Sequence, residues 1–259
     1  NYNSLITIPQ SSMESPNSLL SPLTHFKEQF SFVPEIINKE KLAHHTHVLI
    51  CGMGGSALSA SLLKLLFPEL LITLHNTYGL PQVYDKKNTL VIINSYSGNT
   101  EEELDSLSRA IKEGASVCAL SLGGLLLHKM KEYDGAYVEL PESSLEPRFS
   151  IGHQMLGLLS LMGEEDKIQM LHEKTKNLDM SKLELAGKKL ADEFSHIYPV
   201  LYASENLYPV AYLIKAALNE GAKVPAFVSK VPEANHNELQ SFVTNDTANA
   251  SKEFGILLL

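Results

Sequence analysis

The sequence predicts an α/β protein with two doubly wound parallel-sheet lobes, each a three-layer αβα sandwich, the second incomplete at its C-terminal end. Three observations predict it. From His47 onward, apolar runs of strand length alternate with helical stretches. The alternation stops in a charged, helical stretch over residues 163–196, and it resumes at Tyr198. Strands alternating with helices form parallel sheets covered on both faces. The second lobe offers two clear strands, few for a stable sheet, and its last one, "FGILLL", stops at Leu259. The chain is therefore expected to continue past Leu259, or to have been shortened there.

Residues 1–45 are polar with short helical stretches such as "SPLTHFKEQF", and they read as an N-terminal arm packed on the body. The first lobe, 46–165, opens with the strand "HVLIC" and the helix "SALSASLLKLLF". The strands "LLITLHN" and "TLVIINS" follow, their β-branched content marking buried strands. Leu104, Leu107 and Ile111 have helical spacing in a helix from Thr100 to Glu113. Thr100 suits its N-cap, and Glu103, three residues on, completes a capping box. Next come the strand "SVCALSL", a short helix near Leu125–Lys131, the strand "AYVEL" and a helix over about Ile151–Met162. A helical linker spans 166–196. The second lobe, 197–259, holds the strand "YPVLYAS", the helix "LYPVAYLIKAALNEGAK", a loop over "VPAFVSKVPEANHNEL" and the last strand.

The bulk numbers exclude several functions. Hydrophobic residues make up 44% of 259, enough for a full core, and the net charge is −9 with no basic run. Nucleic acid and acidic membrane surfaces are thus excluded as partners, while a small anion held by local donors is not. Cys51 and Cys118 lie in apolar strands, which argues against a disulfide framework and for a reducing cytoplasm. No signal peptide is expected, and no apolar run is of membrane length. The first residue is Asn rather than Met, so a trimmed N-terminus is expected.

Two loops carry the chemistry. In "CGMGGSA" a glycine turn joins strand to helix, where Gly54, Gly55 and Ser56 let backbone and hydroxyl approach a ligand. In "NSYSGNTEEEL" the hydroxyls of Ser95, Ser97 and Thr100 stand beside a helix start, whose unpaired N–H groups favour an anion. Both loops end strands of one sheet and so face one crevice, where they converge on a phosphate without Lys or Arg. The glycine spacing also matches a loose dinucleotide fingerprint. That design needs an acidic residue closing the second strand, and "LLITLHN" ends in His75 and Asn76. No cofactor is expected.

The pairing of "GMGGSA" with "SYSGNTEE" resembles the sugar isomerase (SIS) fold. With "EPRFSIGHQ" at 146–154, "LNEGAK" at 218–223 and "PEANHNE" at 232–238, the chain resembles the bifunctional phosphoglucose/phosphomannose isomerases over about residues 47–242. The resemblance implies interconversion of glucose 6-phosphate and fructose 6-phosphate, with mannose 6-phosphate left open. Such isomerisation moves a proton between adjacent carbons through an enediolate, needing a base, a ring-opening group and positive charge near the oxyanion.

Glu220 is the candidate base. Its helix is expected to bury Leu213 and Ala217, which puts Glu220 on the apolar face, partly desolvated. Read locally, it is rather a last-turn Glu that reaches solvent or pairs with Lys223; the motif favours catalysis. The resemblance implies ring opening for His236, at an expected helix start, with that His reaching across from a partner subunit in such folds. Glu238 could orient it. Arg148, after Pro147, could steady the enediolate oxygens or be an ordinary surface Arg. The family also uses a Lys near its C-terminus that has no counterpart before Leu259, and the residues that would admit mannose fall in the same segment.

The remaining signals read as structure. "HHTH" (His44, His45, His47) lacks a completing ligand, and no metal is expected. Glu101, Glu102 and Glu103 read as a solvated helix start, and Met130, Met155 and Met162 as core filling. A homodimer that takes a phosphorylated hexose is expected. The alternative is a non-catalytic phosphosugar-binding sensor that keeps the loops without turnover.

Overall fold

The computed structural model describes residues 23–42, 44–142, 145–242 and 253–259. The part of the N-terminal arm before residue 23 lies outside them.

The first sheet has six strands: β1 (Ile36–Ile37), β2 (His47–Cys51), β3 (Ile72–His75), β4 (Thr89–Asn94), β5 (Ser116–Ser121) and β6 (Ala136–Glu139). Their order is β1-β6-β5-β4-β2-β3, parallel except for β1, which runs antiparallel along β6. Helices α1 (Gly54–Leu66), α2 (Glu101–Lys112), α3 (Gly124–Tyr133) and α4 (Ile151–Met162) cover it. Strand periodicity divides the core. Ile50, Ile92 and Leu120 face one side with Leu63 of α1 and Leu156 of α4. Leu49, Val91 and Ala119 face the other with Leu107 of α2 and Met130 of α3. The expected three layers are therefore present, with Met130, Met155 and Met162 inside them.

From β2 the chain steps outward to β3, then returns to the opposite side of β2 for β4. The order reverses between β2 and β4, so the ends of these two strands open the crevice where such sheets bind ligands. Both hydroxyl-bearing loops leave from this point.

Helices α5 (Glu165–Lys176) and α6 (Met180–Glu193) follow. Leu171 of α5 is buried, but no residue of α6 is. The second sheet is parallel, with β7 (Tyr198–Ala203) between β8 (Phe227–Lys230) and β9 (Phe254–Leu258). Here the structure corrects the expectation of two strands. β8 lies in the stretch expected to be a loop, and 3₁₀ helices at Glu233–His236 and Glu238–Phe242 follow it. One exposed and three half-buried residues between Pro225 and Pro232 have too little periodicity to announce a strand.

Helix α7 (Tyr208–Glu220) packs between the lobes. Tyr212 and Leu213 touch the first core, while Ala211, Ile214 and Leu218 belong to the second. This division corrects the apolar face read from sequence: Leu213 is only partly buried and Ala217 is exposed. The arm contributes β1 and a 3₁₀ helix at Phe26–Ser31, whose Gln29 and Phe30 are buried.

Candidate functional site

The β2 and β4 loops are bonded to one another. Asn94, closing β4, is fully buried and donates from Nδ2 to the Ser56 carbonyl at 2.9 Å and to Gln154 Oε1 at 3.3 Å. Gln154 of α4 in turn donates to the Pro147 carbonyl at 3.3 Å. One amide chain thus fixes the start of α1, the end of β4 and the turn bearing Arg148. Neither amide was singled out from sequence. The signal was there: each is a lone carboxamide in an apolar run, which must find partners once buried.

Ser56 is buried, and its Oγ accepts the Tyr96 backbone N–H at 3.3 Å, keeping its own proton to donate. Ser95 Oγ lies 3.2 Å from Thr100 Oγ1. Ser97 is exposed, with Oγ accepting the Asn99 N–H at 3.3 Å. Four hydroxyls therefore stand on two adjacent strand ends. Gly54 and Gly55 open α1 beside them.

The expected capping box does not form. Thr100 occupies the N-cap with extended backbone, but its hydroxyl caps no backbone N–H. The solvated reading of Glu101–Glu103 also fails at one residue: Glu103 is 2% exposed, and its Oε2 has no hydrogen-bond partner. It points inward because the helix turns its third residue toward the β2 end. Burial pushes its carboxyl above the usual range, partly offset by its own and the Met53 backbone N–H and by the Thr100 hydroxyl. Nearby Cys51 is a free, buried thiol, pushed up to about 12 by burial, which makes it a packing residue rather than a nucleophile.

Arg148 is not an ordinary surface residue. Its side chain is 17% exposed, it covers the Phe149 ring at 4.8 Å, and Nη1 pairs with Glu146 and lies 3.6 Å from Glu220 Oε2. That last contact joins the lobes. It also replaces the pairing of Glu220 with Lys223 considered from sequence. A Cβ on Gly55 would meet the Pro147 carbonyl oxygen at 3.0 Å and the Arg148 N at 3.3 Å, so the glycine turn lies directly against the arginine turn. Gln29 of the arm holds the other side, donating to the Phe149 carbonyl and accepting the Gly152 N–H at 2.9 Å. No sequence signal pointed to Gln29.

Glu220 departs from expectation. Its side chain is 52% exposed rather than set on a desolvated face, because it ends α7 on the side away from Leu218, which packs on the second core. His236 ends a 3₁₀ helix instead of starting one; it is exposed and makes no hydrogen bond or ion pair among the described residues. Glu238 does not orient it: that carboxylate accepts from Ser229 Oγ at 2.7 Å and Tyr202 Oη at 3.5 Å. Ser56, Ser95, Thr100, Arg148 and Glu220 are thus brought to one region, and His236 is not linked to it within the chain. His44 and His45 line a cavity of about 500 Å³ beside the start of β2, at the opposite sheet edge. Among the described residues no group of three or more His, Cys, Asp or Glu could hold a metal, and no helix is long and apolar enough to cross a membrane.

Comparison with known proteins places this geometry. A family model described as the bacterial phospho-glucose isomerase C-terminal SIS domain matches residues 184–259. The chain is 30% identical over 232 residues to a bifunctional phosphoglucose/phosphomannose isomerase of Aquifex aeolicus, covering 86% of this chain and 70% of that one. It is 31% identical to a D-glucosamine-6-phosphate 4-epimerase of Sulfolobus acidocaldarius, covering 81% of this chain and 66% of that one. Among solved structures, the C-terminal domain of glucosamine-fructose-6-phosphate aminotransferase from Francisella tularensis superposes with a TM-score of 0.66 at 18% identity, over 93% of this chain and 75% of that one.

Proposed function

Since the chain belongs to the bifunctional phosphoglucose/phosphomannose isomerase family, we propose that it is a phosphosugar aldose–ketose isomerase interconverting glucose 6-phosphate and fructose 6-phosphate. The observation that carries the proposal is the contact of Arg148 with Glu220 across the lobes, directly beside the glycine turn. In this reading Ser56, Ser95, Ser97 and Thr100, with the backbone N–H groups of Gly54 and Gly55, hold the phosphate. Glu220 takes the proton from C2 of the open-chain aldose and returns it to C1. Arg148 leaves Glu220 for the enediolate oxygens as charge develops there. Before substrate binds, the pair holds the carboxylate aimed until substrate separates it.

His236 opens the sugar ring from a second copy of the chain, consistent with its exposure and its lack of partners within the described residues. That role makes the working form a homodimer. In this reading the protein works in cytoplasmic sugar-phosphate metabolism, at the glycolytic and gluconeogenic branch. The chain divides in this reading into an arm (1–45), a phosphate-binding lobe (46–165), a helical linker (166–196) and a base-bearing lobe (197–259).

The test is a coupled assay for fructose 6-phosphate formation on the full-length chain, with mannose 6-phosphate as a second substrate. Glu220→Gln is expected to lose about 10²–10⁴-fold in kcat, the range for a positioned proton-transfer group. Ser97→Ala should chiefly raise KM. Binding without turnover in the intact chain would favour a sensor, and C4-epimerised product from glucosamine 6-phosphate would move the assignment to the epimerase branch.

A further inference from the structure

We infer that Gln29 of the N-terminal arm is a positioning residue of the isomerase: by bonding both sides of the step from the Arg148 turn into α4, it holds the guanidinium in register with Glu220. The role rests on the isomerase reading above. It starts from a helix cap supplied by a distant part of the chain. The first N–H groups of a helix have no partner within it, and a Ser at the N-cap commonly accepts one of them. Ser150 occupies the N-cap of α4, yet its side chain caps no backbone N–H. Gln29 Oε1 accepts the Gly152 N–H instead, at 2.9 Å and from 123 residues away in sequence. The Nε2 of the same amide donates to the Phe149 carbonyl.

Arm and turn are fitted closely to one another. A Cβ on Gly152 would meet Gln29 Cβ at 2.8 Å and Phe30 Cε2 at 3.1 Å, so glycine is what lets the arm lie this near. Gln29 is 3% exposed. With its amide gone, two buried backbone groups must shift to find other partners.

The shift reaches Arg148 directly. Its guanidinium covers the ring of Phe149, the residue whose carbonyl Gln29 holds. On the other side of Arg148 the Pro147 carbonyl is held by Gln154, itself fully buried. Arg148 thus stands between two carbonyls, each bonded by a buried glutamine. Gln154 is tied to Asn94 and so follows the sheet. Gln29 makes the second anchor depend on the arm. It bonds to none of the phosphate-binding hydroxyls among the described residues. Its loss should therefore act where Arg148 meets the developing oxyanion, lowering kcat and sparing KM.

The test is steady-state isomerase kinetics on the full-length chain, each variant assayed well below its own melting temperature. Gln29→Met keeps the volume and removes both bonds. It is expected to lower kcat by about 10²-fold, the effect of an ångström-scale misplacement, with KM held within about threefold. Gly152→Ala attacks the same contact from the α4 side and should give the same split, whether or not Gln29→Met folds. Ile36→Ala loosens the arm at β1, where it packs on the first core away from the turn. It should lower the melting temperature and leave kcat within about twofold. A double-mutant cycle then separates positioning from general support. With Arg148→Met already in place, Gln29→Met or Gly152→Ala should cost less than about twofold more, because residues acting through one group do not add. A full second loss in that background, a loss carried by KM, or an equal fall of kcat in Ile36→Ala overturns the role of Gln29. The isomerase reading fails differently: the wild-type chain would form no fructose 6-phosphate, or Arg148→Met would keep full kcat.

Discussion

Gly55 is the residue at which the phosphate loop and the arginine turn touch. Any Cβ there meets backbone rather than a movable side chain, with the Pro147 carbonyl oxygen at 3.0 Å. Gly55→Ala must therefore push the Arg148 turn away, at a cost of about 1–3 kcal/mol for overpacking. Displacement on the order of an ångström is enough to spoil a reacting geometry by about 10²-fold. The expected outcome is a kcat loss of that order with only a modest drop in melting temperature; equal activity would show that the contact positions nothing. At this scale the sequence was legible where a residue acts through its own chemistry. Ser56 and Ser95 lie at the strand ends where the loops were read, Thr100 lies beside Ser95, and Arg148 lies in the turn before α4. It was not legible where tertiary packing decides. Glu103 reads as one of three helix-start carboxylates until β2 closes over it. Gln29 has no meaning until the arm meets α4, more than a hundred residues away in sequence.

Among the elements, those with a long apolar period were readable to within a residue or two. β4 and α4 are buried along nearly their whole lengths, so their composition follows their environment. β1 and β8 were not readable, because two and four partly exposed residues show no period and owe their conformation to a neighbouring strand. α6 is the opposite case: its helical pattern was plain, yet it buries nothing. Leu183, Leu185 and Leu190 are all exposed on it. A helix held by propensity, one Asp179 cap and an i,i+4 pair between Glu184 and Lys188 has little tertiary support. Native-state hydrogen exchange should therefore show α6 amides exchanging at least about a hundredfold faster than those of β4, which open only with global unfolding. Comparable protection would mean that another surface covers α6 in solution.

At the scale of the whole molecule, the proposed reading takes the phosphate donors and Arg148 from the first lobe and the base from the second, so the docking of the lobes is itself a functional variable. The net charge of −9 gives no general attraction for a sugar phosphate; in the proposed reading, recognition depends on donors at the ends of β2 and β4 of one sheet, with Glu220 brought to them from the second lobe. α7 holds that spacing. Its Tyr212 and Leu213 pack on the first core, its Ile214 and Leu218 on the second, and Glu220 sits at its last turn. Leu213→Asn removes about 1–3 kcal/mol of apolar burial at this seam and leaves a polar group against the first core. Both sheets have their own clusters and should survive, so far-ultraviolet circular dichroism is expected to stay unchanged. Arg148 and Glu220, 3.6 Å apart in the docked form, would then spend less time in register. kcat/KM should fall by more than about tenfold, while Leu185→Asn, on the exposed face of α6, serves as the silent control. If Leu213→Asn retains full activity, the lobes are held together by something other than this helix, and α7 only carries the base.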